Sequence, residues 1–220
     1  MALTILFCVM VLVSALLAAA LANRISVVRD VRAGHFVNIL QRAQDADDYV
    51  NAASTVFVLT QVVIAVLFIV WMFRAAKNHE ALGRANTRFG PGWAIGGWFI
   101  PIANLVMPIL IMQDLWRGSD VTRPRADPNW RATRGSWLIG WWWAAWVASL
   151  VRFAYAGSGL HDSRSLDDIQ TSNTVALVGV VALAVAAVLA LFVVRTLSAR
   201  QLDALRAQRA QYEWVASAGW

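Results

Sequence analysis

Four stretches of the chain, residues 2–22, 53–73, 137–155 and 175–194, are almost wholly apolar. Each has roughly the ~20 residues that a helix needs to cross the hydrocarbon of a bilayer. Inside lipid every backbone N–H and C=O must find its partner within the fold, so runs of this kind cross as α-helices. The expected class is an all-α integral membrane protein with four clear transmembrane helices. Composition agrees, because 59% of the 220 residues are hydrophobic and only 15% are charged. A soluble domain of that make-up could not cover its apolar surface.

The net charge of +6 comes almost entirely from arginine, Lys77 being the only lysine. These arginines flank the apolar runs, which is what the positive-inside rule produces without any ligand. No nucleic-acid partner is expected. Cys8 is the single cysteine and lies inside the first run, so neither an internal disulfide nor a cysteine-held metal centre is expected. That run ends in "AAALA", the small-residue pattern of a cleavage site, but it has no basic leader and is long enough to span. It is read as a retained helix.

Between the first two runs, Val28, Val31, Phe36, Ile39 and Leu40 recur at helical spacing. They predict an amphipathic helix interrupted at Gly34. Residues 197–214 turn polar while keeping helical propensity, so the last span is expected to continue as a cytoplasmic helical tail. No repeat or linker divides the chain, and 1–220 is read as one membrane domain.

A fifth segment, "GWAIGGWFIPIANLVMPILIMQDLW" at 92–116, is harder to place. Pro101 and Pro108 argue against a straight helix, while Trp93, Trp98 and Trp116 favour headgroup depth. A Pro-broken or re-entrant element is expected, and its path decides the topology. The loop 156–173 holds Arg164 alone among three aspartates, so it is assigned outside, and the arginine-rich tail inside. If 92–116 re-enters, the N-terminus is inside; if it crosses, the N-terminus is outside. Either arrangement puts thirteen basic residues inside and five outside. The first loop balances its arginines with Asp30, Asp45, Asp47 and Asp48, which favours the re-entrant arrangement.

The stretches "DDYVNAASTVFVLTQVVIAVLFIVWMFRAAKNHEALG", "RFGPGWAIGGWFIPIANLVMPILIMQDLWRGS" and "WWWAAWVASLV" resemble the bacterial, mainly actinobacterial, membrane family of the domain of unknown function DUF4328. The resemblance runs from about residue 45 to 200. Its most specific part is "GWAIGGWFIP" followed by Asn104 and Pro108. It implies a membrane fold and location, and an inside N-terminus, but no reaction.

Candidate chemistry is sparse. His35, His79 and His161 all lie outside the clear runs, so no paired haem ligands face one another within a bundle. No run carries a serine–histidine or paired-aspartate set. His79-Glu80 has Gly83 where a zinc-protease helix needs its second histidine. Neither an enzyme nor a cofactor nor a metal is expected. Ionisable groups at membrane depth are the default candidates. Here they are Asp114 and Arg152, which would pair if 92–116 spans, Arg152 otherwise reaching the outer headgroups.

Pro101, Asn104 and Pro108 form the second candidate. Broken transporter helices hold ions or substrates with freed carbonyls and a polar side chain, although Asn104 could equally answer carbonyls that the prolines orphan. Trp142 and Trp146 share one helix face, as do Trp137 and Trp141, and Trp98 marks the opening of the broken segment. Rigid aromatics of this kind suit a contact surface. The resulting expectation is a non-enzymatic multi-pass protein of the bacterial inner membrane. It would act through contacts as an accessory or self-assembling subunit, with membrane lipids, other membrane subunits or a second copy as partners. The alternative is a small-solute or ion transporter or channel with its site at the broken helix.

Overall fold

The computed structural model describes residues 2–84, 87–124, 127–157 and 165–217, and every regular element among them is helical. In chain order these are α1 (Ala2–Arg32), α2 (Ile39–Ala81), α3 (Trp93–Gly96), α4 (Pro101–Asn104), α5 (Met107–Gly118), a 3-10 turn at Trp130–Ala132, α6 (Trp137–Ser149), α7 (Val151–Gly157) and α8 (Leu166–Ser217). Three of them, α1, α2 and α8, are long and apolar enough to cross a membrane. Each extends past the run seen in the sequence, and α8 carries the whole tail 197–214 without a break.

Glycine ends the first two helices. Gly34 takes φ +77° and Gly83 takes φ +67°, the left-handed conformation that closes a helix at little cost only when no Cβ is present. After α1, the Gly34 N–H donates to the Val31 carbonyl (3.1 Å) and the His35 N–H to the Asp30 carbonyl (3.0 Å). Both are carbonyls that the helix end would leave bare. The interruption expected at Gly34 is thus a chain reversal.

The expected fourth spanning helix, 137–155, is not a single helix. It divides into α6, of 13 residues, and α7, of 7, with the break at Leu150. The Ser149 hydroxyl donates to the Trp146 carbonyl (2.6 Å), the acceptor that the Leu150 N–H would use in a regular turn. Leu150 instead donates to Val147 (3.0 Å), and the helix tightens and stops. Hydropathy could not register this, because one serine hydroxyl hardly changes the mean.

Segment 92–116 is broken as well, though not by the mechanism the sequence suggests. Pro101 is the first residue of α4 and Pro108 the second residue of α5. At those positions an N–H has no intrahelical partner to lose. The prolines therefore start helices here and do not kink one.

The chain forms two compact units. One comprises Met1–Ile64 and Trp141–Leu189, the other Ala65–Gly140 and Ala190–Trp220, so α2, α6 and α8 each contribute to both. In the first unit α1 buries Phe7, Met10, Leu17 and Leu21 along one face and exposes Ile5, Leu12 and Leu16 on another. A helix apolar on both faces suits lipid as its outer solvent. Arg32, at the end of α1, forms an ion pair with Asp167 at the start of α8.

In the second unit α2 and α8 lie side by side. Trp71 Nε1 donates to Ser198 Oγ (3.1 Å), Gln201 Nε2 to the Ala75 carbonyl (2.8 Å) and Gln208 Nε2 to the Ala81 carbonyl (3.4 Å). Residue numbers rise together in these pairs, so the two helices run parallel. Met72, Met112, Trp130, Val193 and Leu197 are among the fully buried side chains of this unit.

Candidate functional site

The densest polar cluster lies in the second unit, where the chain leaves α2. Gly83 turns the backbone, and Arg84 follows with 9% of its surface exposed. Its guanidinium donates to four backbone carbonyls: Gly118 (2.9 Å), Arg123 (3.1 Å), Pro124 (2.7 Å) and Asp120. A planar fork with five donors is the one side chain that can serve so many acceptors at once. The carbonyls belong to the end of α5 and the loop after it, groups that burial would otherwise leave unpaired.

Two more side chains fasten the rest of that loop. Gln113 uses both ends of its amide, donating to the Ser136 carbonyl and accepting from the Ser136 N–H, each at 2.8 Å. Arg117 Nε donates to the Thr133 carbonyl (3.0 Å). Gly135 makes room, since a Cβ there would lie 2.5 Å from Gln113 Oε1.

Asp114 occupies the centre. Arg88 grips it with two bonds, Nε to Oδ2 (3.0 Å) and Nη2 to Oδ1 (2.7 Å), and Arg117 Nη1 stands 3.7 Å away. The carboxylate raises the Arg88 pKa, chiefly through that hydrogen bonding. Beside it is a cavity of about 20 Å³ lined by His79, Arg88, Asp114 and Trp130 among others, enough for about one water molecule. His79 is buried, its ring centroid 5.3 Å from that of Trp130, and its Nδ1 has no hydrogen-bond partner. Burial lowers its pKa, Asp114 partly opposes that and Arg84 adds to it, so the neutral ring is favoured. Gly118 is obligatory beside it, because a Cβ would stand 1.9 Å from His79 Cε1.

Around this core, burial tends to raise the Asp120 pKa. The Thr122 hydroxyl (2.8 Å) and N–H (3.0 Å), with Arg200 and Arg84, more than reverse it, leaving the pKa lowered. The Arg200 guanidinium lies 4.2 Å from the Trp116 ring centroid. One side of the assembly stays open. A groove of about 600 Å³ separates loop residues Asp120–Pro124 from the tail face that carries Ala204, Gln208, Gln211 and Val215.

The residues singled out in the sequence are distributed differently from expectation. Asp114 is central, but Arg88 takes both of its carboxylate oxygens. Arg152, in the first unit, lies 5.0 Å from the Phe57 ring centroid and 4.5 Å from that of Phe153. Among the described residues Asn104 bonds to no bare carbonyl, and its buried Oδ1 has no partner. Trp98 meets Phe68 edge to face at 6.0 Å. Trp142 is buried against Trp143 (5.5 Å), which stacks on the half-buried Trp146 (4.6 Å), whereas Trp137 and Trp141 are exposed. His161 and Arg164 lie outside the described residues.

Sequence reasoning passed over Arg84, Arg88, Gln113 and Trp130 as site residues, and weighed His79 only as a metal or haem ligand. One signal was present: Asp114 is the only acid in an apolar segment bounded by arginines, and an acid so placed needs one of them.

A family model described as a domain of unknown function (DUF4328) matches residues 37–199. Among curated proteins and solved structures nothing matches.

Proposed function

Taking as premise that the chain belongs to the DUF4328 family, whose description names no reaction, we propose from its own geometry that it is a non-enzymatic multi-pass protein of the bacterial inner membrane. It acts through contacts, as an accessory or self-assembling subunit. One observation carries this reading. The charged groups of the main cluster are spent on holding a loop, and what remains open beside them is a groove for a partner. Arg88 engages both oxygens of Asp114, a use of the carboxylate that holds the loop in place.

Two pairings support one arrangement in the membrane. Because α2 and α8 run parallel, the loops after α2 lie on the same side as the tail. The Arg32–Asp167 pair keeps the turn after α1 with the start of α8 on the other side. With the arginine-rich tail in the cytoplasm, the N-terminus is cytoplasmic, α3–α5 re-enter from that side, and α6–α7 make the remaining crossing as a broken pair. Cysteines placed at Ser165 and Ser217 in a Cys8→Ser background test this. An impermeant thiol reagent on intact cells should label position 165 and spare 217, and the reverse pattern would sink the orientation.

The contact role is tested by a photo-crosslinking residue at Gln211, inside the groove, in native membranes. The expected product is one discrete adduct, either of twice the monomer mass or with a single partner identified by mass spectrometry. A smear identical to that from an exposed control position counts against the reading. A second reading, transport, draws support from the unanswered Asn104 Oδ1. It requires that Asn104→Ala abolish a flux in proteoliposomes while leaving the melting temperature in place.

A further inference from the structure

In the first unit Arg152 is a cation with a buried donor left unanswered. Its guanidinium carbon lies over two phenyl rings, 5.0 Å from the Phe57 centroid and 4.5 Å from that of Phe153, so the cation has two aromatic neighbours. Phe57 is 2% exposed and Phe153 61%, so the cation sits where the interior meets the outer surface of its unit. Its Nε is buried with no hydrogen-bond partner, and among the described residues no carboxylate pairs with it. The stem is fixed from behind by α8. A Cβ on Gly179 would lie 3.2 Å from Arg152 Cβ and from the Ser149 carbonyl and 3.3 Å from Arg152 Cδ, a tight fit, so glycine gives the arginine stem its room against α8.

Stacking satisfies the faces of a guanidinium but not its edge. The N–H donors all point outward in the plane of the group, and burying one unanswered is costly. A cation with aromatic neighbours and a buried, unanswered Nε calls for an oxyanion that meets the fork in plane. Phosphate oxygens match that geometry better than a point acceptor does. We infer that Arg152 is the anchor of a phosphate site at the surface of the first unit, occupied by the headgroup phosphate of a membrane phospholipid. The rings of Phe57 and Phe153 orient the fork and keep water from it, and the exposed Phe153 lies alongside the lipid chain. In the topology proposed above, Arg152 is near the outer end of the α6–α7 crossing, at headgroup level. The inference rests on that membrane reading.

The test uses the full chain purified in a mild detergent and stripped of lipid. Wild type, Arg152→Gln and Arg152→Lys are melted with dioctanoyl phosphatidylglycerol, with dioctanoylglycerol, which has the same chains and no phosphate, and with inorganic phosphate. Phosphatidylglycerol should raise the wild-type melting temperature in a saturable way and dioctanoylglycerol should not. Arg152→Gln should lose the shift, and Arg152→Lys, which keeps the charge without the fork, should bind about tenfold more weakly. If inorganic phosphate alone reproduces the Arg152-dependent shift, the site is a phosphate site supplied from solution. Equal shifts from phosphatidylglycerol and dioctanoylglycerol, or a full shift retained in Arg152→Gln, overturn the proposal. Should Arg152→Gln fail to fold, Arg152→Lys and Phe57→Leu carry the same comparison. A chain extracted from membranes by carbonate without detergent would refute the membrane reading instead, so the two failures are distinct.

Discussion

At the scale of single residues, His79 has the clearest consequence. The fold lowers its pKa, so the unfolded chain binds a proton more readily than the native one does. The stability this contributes is complete above the ordinary imidazole value of 6.5 and is lost as the pH falls from there through the lowered native value. The melting temperature should therefore decline on acidification below about 6.5, and His79→Gln should flatten that part of the profile. A wild-type curve that rises there would refute the assignment of a neutral ring. Little of this was legible beforehand. His79 entered the sequence argument only as a failed metal or haem ligand, since burial against Trp130 and closeness to Gly118 depend on residues about 40 to 50 positions away. Asp114 was legible because an isolated acid in an apolar segment needs a cation, but that Arg88 would grip it could not be read from spacing, since the pair lies 26 residues apart.

Among the helices, hydropathy succeeded where a helix is apolar throughout and failed where one hydroxyl intervenes. Apolar runs located α1 and α2, and the interruption expected at Gly34 falls between them. The amphipathic helix expected there is no separate element, its residues belonging to the end of α1, the turn and the start of α2. The last helix, α8, continues through the tail as its propensity suggested. The break at Leu150 turns on a single competition for the Trp146 carbonyl, invisible to any window average. Removing the competitor is the direct check. Ser149→Ala frees that carbonyl for the Leu150 N–H, so amide exchange at Leu150 and Val151 should slow by about tenfold, about the net worth of one added hydrogen bond. Unchanged exchange would mean that packing, not the hydroxyl, sets the break. The prolines give the complementary lesson: composition located them in the right segment, but whether a proline starts or bends a helix depends on where the preceding turn ended.

For the molecule as a whole, charge divides with the two units. The unit of Ala65–Gly140 and Ala190–Trp220 holds thirteen of the nineteen basic residues and six of the thirteen acidic ones, while the other unit is nearly balanced. Totals by loop could not choose between two topologies, and the pairings between distant helices that support the proposed one cannot be read from composition. The tail is integral to the basic unit through Leu197, Gln201 and Ala204, all buried. Ending the chain after Arg200 should expose that unit to protease and quicken its amide exchange, whereas ending it after Gln211 should leave both nearly as they were. Equal tolerance of the two truncations would remove the tail from the core. The three amide and indole bonds between α2 and α8 have one more consequence. An α-helix turns 100° for each residue it advances by 1.5 Å, so a residue added to α8 before Ser198 would swing every tail side chain out of its bond. The tail is indexed like a key in a lock, free neither to slide nor to rotate, and whatever reads its groove face reads a fixed angle.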